Sequence, residues 1–129
     1  MKLLLDTHLL VWAAADHPAL PEEARAAIED MDNTLYFSVA SLWEIVIKSA
    51  LGREDFQVDA RVLRRNLLDA GYEELSIEAP HIVEVAALPP LHKDPFDRLL
   101  VGQAMSEGIV LLTHDDQVKR YDFAPVRYV

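Results

Sequence analysis

The sequence predicts an α/β fold with a mostly parallel central sheet and helices on both faces. Three observations carry this expectation. Short apolar runs stop abruptly at polar residues, stretches of helical period separate them, and the two kinds alternate along the chain. Lys2 to Leu5 is the first such run and ends at Asp6, as a buried strand does. THLLVWAAAD follows as a helix, with Asp6 or Thr7 at its cap. LPEEARAAIEDM is a second helix. Pro21 stands at its start, Glu22 and Glu23 in its first turn, and Ala24, Ala27, Ile28 and Met31 recur at helical spacing. TLYFS, rich in aromatic and β-forming residues, reads as a strand. VASLWEIVIKSALG is a helix closed by Gly52, and DARVLRRNLLDAG another closed by Gly71. EELSI is a weak strand. EAPHIVEVAAL is a helix that Pro89-Pro90 ends. The next helix starts at Pro95 and runs to Glu107, before Gly108. IVLLT is a buried strand, DDQVKRY a short helical turn, and PVRYV a last strand.

Composition narrows the class. The chain has 129 residues, 51% of them apolar, which suffices for the core of one domain. No apolar run approaches the roughly eighteen residues of a membrane span. Asp6 and His8 interrupt the first apolar run, and no cleavage site follows, so no secretory signal is expected. There is no cysteine, which removes disulfides and thiolate metal sites. A cytoplasmic protein is the expectation. The net charge of −10 argues against a surface that binds nucleic acid through its phosphates alone. Two exceptions remain: acids gathered around a cation, or bases gathered on one face.

The acids are placed suggestively. In HKDPFDRLL, Asp94 and Asp97 flank Pro95 where a helix begins. Helix capping accounts for both, since unpaired N–H groups and the positive end of the helix dipole lie there. In an open parallel sheet, however, ligands sit beyond the carboxyl ends of the strands. Asp6 follows the first strand, Glu44 lies early in the helix after TLYFS, Asp115 and Asp116 follow IVLLT, and Asp94 and Asp97 face the same edge. Two carboxylates about 4 Å apart repel by roughly 4 kcal/mol at an effective dielectric near 20. Several together must take up protons or hold a cation, and an all-oxygen set suits Mg²⁺ or Mn²⁺.

The set LLLDTH, SLWE, DPFDRLLVGQA and LLTHDD resembles the PIN-domain family, in particular its VapC-type toxin ribonucleases. The resemblance covers the whole chain and implies a single PIN-like domain over residues 1–129, a three-layer α/β/α sandwich. It implies that Asp6, Glu44, Asp97 and Asp115 form an acidic core holding one or two Mg²⁺ or Mn²⁺ ions, where an activated water cleaves an RNA phosphodiester. Thr7 and Thr113 would orient carboxylates. Asp94 would cap and support, and Asp116 is an alternative to Asp115. The resemblance also implies a homodimer and a small antitoxin, often with an arginine aimed at the acids. Leu9, Trp12 and Leu20 are a candidate groove for it.

Plain structural readings stand beside these. Asp6 is a cap, Asp115 begins a turn, and Ala40, Glu44 and Lys48 share a stripe on which Glu44 and Lys48 form an ordinary i, i+4 pair. Apolar Trp43, Ile45, Val46 and Ile47 around Glu44 weigh against mere solvent exposure. No lysine or arginine precedes the acids at that edge in any obvious pairing. Arg61, Arg64 and Arg65 share a helix face and, with Lys48 and Arg53, are candidates for RNA or partner contact; Arg98 is another. The five histidines lack metal-ligand spacing. Trp12 and Trp43 read as core. Two rival functions remain. A phosphoacceptor signalling domain lacks its expected aspartate after TLYFS or EELSI, and a non-catalytic acidic module would dock a basic partner.

Overall fold

The computed structural model describes residues 1–129. The elements follow in the order β1 (Lys2–Leu5), α1 (Thr7–Ala14), α2 (Glu22–Glu29), β2 (Thr34–Ser38), α3 (Val39–Ala50), α4 (Ala60–Asp69) and β3 (Glu73–Leu75). Then come α5 (Ala79–Ala86), α6 (Pro95–Glu107), β4 (Val110–Thr113), α7 (Asp116–Lys119) and β5 (Val126–Tyr128). Each strand and helix expected from the sequence forms. One 3-10 turn, Glu54–Phe56, was not expected. It buries Phe56 completely in the core, although a lone aromatic in a polar stretch shows no period.

The five strands form one parallel sheet in the order β3-β2-β1-β4-β5. Side chains alternate across a strand, so β1 serves two cores. Leu3 and Leu5 pack with Leu9, Leu10, Phe37 and Leu63 on one face. Leu4 packs with Leu100, Val101, Leu111 and Tyr121 on the other. These are the layers of an α/β/α sandwich. Leu9 and Leu20 lie inside the first core, which removes them from any exposed groove. Trp12 packs against the same core. Trp43, by contrast, is 55% exposed. The buried stripe of α3 is Ala40, Ser41, Glu44 and Ile45, and a buried glutamate turns the tryptophan outward.

Two features set the start of α6. Its cap Asp94 accepts from the amides of Phe96 and Asp97 at 2.8 and 3.2 Å. Gly102 lets α5 and α6 approach closely: a Cβ there would lie 2.9 Å from His81 O and 2.8 Å from Val85 Cγ2. Behind them, Ser38 Oγ donates to Gln103 Oε1 at 2.5 Å while accepting from Ala40 N. That buried bond ties the start of α3 to α6.

Candidate functional site

β1 lies beside β4 at the point where strand order reverses, and Leu5 is in register with Leu112. The residues just beyond, Asp6 and Thr113, therefore meet. Asp6 is 4% exposed. Its Oδ1 accepts from Leu9 N at 2.9 Å, capping α1. Its Oδ2 accepts from Thr113 Oγ1 at 2.5 Å and His114 N at 3.2 Å. Asp6 is thus both a cap and a member of the acidic edge; Thr7 is the first residue of α1, not its cap. Burial raises the Asp6 carboxyl above its ordinary range, against the lowering effect of these bonds.

Thr7 Oγ1 donates to Glu44 Oε1 at 2.5 Å and lies 2.9 Å from Ser41 Oγ. Glu44 is 2% exposed, so it is not a solvated helix residue. Its other oxygen accepts from Lys48 Nζ at 2.5 Å, and Lys48 also donates to Asp94 Oδ2 at 2.8 Å. The acids therefore do have a basic partner at this edge. Its i, i+4 link to Glu44 was legible in the sequence, and its link to Asp94, 46 positions away, was not. Burial pushes Asp94 up, but Lys48 and the two capping amides bring it below the usual carboxylate range.

Asp97 has the opposite fate. Burial, then the charges of Asp94, Glu44, Asp6 and Asp115, push it up to about 8. His92 Nε2 lies 2.7 Å from its Oδ2. Oxygens or nitrogens of His92, Asp97 and Asp115 lie within 4.8 Å of one another, and so do those of Glu44, Asp94 and Asp97. Asp115 caps α7 through Gln117 N at 2.7 Å and is steadied by the bond from its own amide to Thr113 Oγ1, 3.1 Å. Asp116 is exposed and lies by Tyr128, outside both groups.

His92 is the neighbour that sequence spacing missed. Its position depends on the segment before α6, which Arg98 fastens. The Arg98 guanidinium donates to the carbonyls of Pro89, Leu88 and Val85 and to the Tyr121 hydroxyl, at 3.1, 3.4, 3.3 and 3.1 Å. This arginine is engaged inside the protein and is not a free phosphate contact. Lys48 is likewise enclosed, with 15% of its side chain exposed. Arg53 pairs with Asp55, and Arg64 with Glu74. Arg61 and Arg65 are exposed on α4.

The donor set fits a hard divalent ion. Asp97 and Asp115, with His92, bring ligand atoms within 4.8 Å of one another, the charge of Asp6 acts on Asp97 from nearby, and a cation there would favour the ionised form of Asp97. Asp97 and Asp115, with His92 beside them, would hold the ion.

The chain belongs to the PIN domain family, whose model matches residues 3–124. No curated protein matches the sequence. Among solved structures, the chain is similar in fold to VapBC2 of Rickettsia felis bound to a promoter DNA fragment. The TM-score is 0.71 and the identity 18%, over 100% of this chain and 99% of that one. VapBC-1 of nontypeable Haemophilus influenzae gives 0.66 and 20%, over 99% and 98%. DNA-bound VapBC of Salmonella typhimurium gives 0.69 and 16%, over 99% and 98%. The PIN-like α/β/α class expected from the sequence is the fold the chain has.

Proposed function

We propose that the protein is a Mg²⁺- or Mn²⁺-dependent endoribonuclease, the toxin of a toxin–antitoxin pair acting in the cytoplasm. The observation that carries this reading is the gathering of Asp97 and Asp115 within ligand distance, with Glu44 and Asp94 on the other side of Asp97 and the charge of Asp6 acting on it, at the carboxyl edge of a PIN-family sheet. A divalent ion bound there supplies an acidified water and offsets charge on the scissile phosphate. The chain's own residues do the positioning. Thr113 and two backbone amides fix the Asp6 oxygens. Thr7 fixes Glu44. His92, beside Asp97, is a group that can hold or pass a proton at Nε2. The surface charge of −10 fits this reading, because phosphate is met through the cation rather than through a basic face.

Partners follow from the same reading. The VapBC neighbours support a cognate antitoxin. The groove for it lies between α1 and α4, lined by Val11, Ala14, Val58, Val62 and Leu63, in place of the buried Leu9 and Leu20. Exposed Trp43 and Val46 on α3, with Ile82 and Val83 on α5, supply apolar surface for a homodimer. The direct test is cleavage of a mixed RNA pool by the purified protein with Mn²⁺, Mg²⁺ or chelator, beside Asp97→Asn. Cleavage should need the ion and fall at least about 100-fold in the variant. Cleavage that survives chelator or the substitution would overturn the reading. A folded protein that neither cleaves RNA nor binds Mn²⁺ would point to the acidic docking module instead.

A further inference from the structure

We propose that Lys48 is a built-in cation standing where a second divalent ion would sit, so that the site takes a single ion, on the side of Asp97, Asp115 and His92. The inference rests on the metal-dependent reading above and goes further, to the number of ions and the residue that sets it.

Two groups of ligand atoms share Asp97. One contains Glu44 and Asp94 and already encloses a positive charge: the Lys48 ammonium lies 2.5 Å from Glu44 Oε2 and 2.8 Å from Asp94 Oδ2. The other contains His92 and Asp115 and has no ammonium or guanidinium against it. Lys48 is also caged by more than its counter-ions. Its Nζ lies 4.9 Å from the Phe56 ring centroid and 5.7 Å from that of Phe96. Both faces attract a cation and limit water. The stem rises from the same helix as Glu44, one turn on, so the ammonium is held by the fold and not by chance rotamers. A flexible surface lysine would be displaced by a competing dication; one held by two carboxylates and two rings resists displacement. Asp97 belongs to both groups, and its Oδ2 lies 2.7 Å from His92 Nε2, on the side without a protein cation.

The test counts Mn²⁺ ions, by calorimetry and by electron paramagnetic resonance, on the intact protein. Wild type should bind one. Lys48→Ala, which empties the ammonium's place, should bind two, with the spin coupling of a paired Mn²⁺ centre. Lys48→Arg, which keeps the charge, should stay at one. Two ions in the wild type would overturn the proposal, as would a Lys48→Ala protein that still binds one with unchanged affinity. Should Lys48→Ala fail to fold, the other two proteins carry the test: one ion in each supports it, two in either overturns it. A wild type that binds no Mn²⁺ would be a different result, since it removes the metal-dependent reading and the role of Lys48 along with it.

Discussion

Asp97 makes the sharpest forecast among the acids. Its carboxyl is raised from the ordinary 3.8 to about 8, by burial first and neighbouring acids second. The folded state therefore holds this proton more tightly than the unfolded chain. Its contribution to stability is full below about pH 4 and is lost as pH rises through about 8. In chelator, the protein should lose on the order of 3 kcal/mol between pH 5 and pH 8, or about 10 °C in melting temperature. Asp97→Asn, which cannot ionise, should flatten that slope, and Mn²⁺ should abolish it in wild type. Identical slopes for the two proteins would show that Asp97 is not the group responsible. Asp115 and Asp116 are separated by a second measurement at this scale. Asp115→Asn should lose the thermal stabilisation given by Mn²⁺, whereas Asp116→Asn should keep it. At single residues the sequence placed Asp6, Glu44 and Asp97 toward one sheet edge, because Asp6 follows β1, Glu44 stands in the helix that follows β2, and Asp97 lies in the first turn of α6. It was blind to His92 and to the Lys48–Asp94 pair, whose contacts depend on how α3 and α6 lie together.

Elements were read more completely than residues. Short apolar runs that stop at polar residues mark their own boundaries, as do helices opened by a capping aspartate or serine, and the glycine after α6 takes φ +66°, which suits it to stop a helix. Two features had no local signature. The turn that buries Phe56 is decided by an open place in the core. The segment between α5 and α6 is shaped by Arg98, which reaches three carbonyls of the turn that ends α5. The packing of these two helices gives a measurable prediction. Gly102→Ala puts a methyl against the His81 carbonyl, so α5 must shift. The cost should be about 1–3 kcal/mol by urea unfolding. A change below about 0.5 kcal/mol would mean that α5 yields freely.

At the scale of the whole molecule, charge dominates. With a net −10, the protein should repel an RNA chain unless a cation stands between them. Measured by filter retention with Asp97→Asn, which should not turn substrate over, RNA affinity should be low in chelator. In the wild type at low temperature it should rise at least tenfold when Mn²⁺ is added, with a shallow dependence on salt. Strong binding in chelator with a steep salt slope would instead locate a basic patch, and the exposed Arg61 and Arg65 would be the first to examine. The strand order, too, was beyond the sequence. Alternating elements announce a parallel sheet but not which strands become neighbours, and it is the neighbouring of β1 and β4 that joins Asp6 to Thr113.

That bond spans 107 positions along the chain. A polypeptide emerging from the ribosome carries Asp6 and Glu44 long before Asp97 and Asp115 exist, and β4 enters the sheet beside the first strand made. Contacts this distant in sequence form late and slowly. Whatever the four acids do together, a half-made chain cannot do it until β4 docks beside β1.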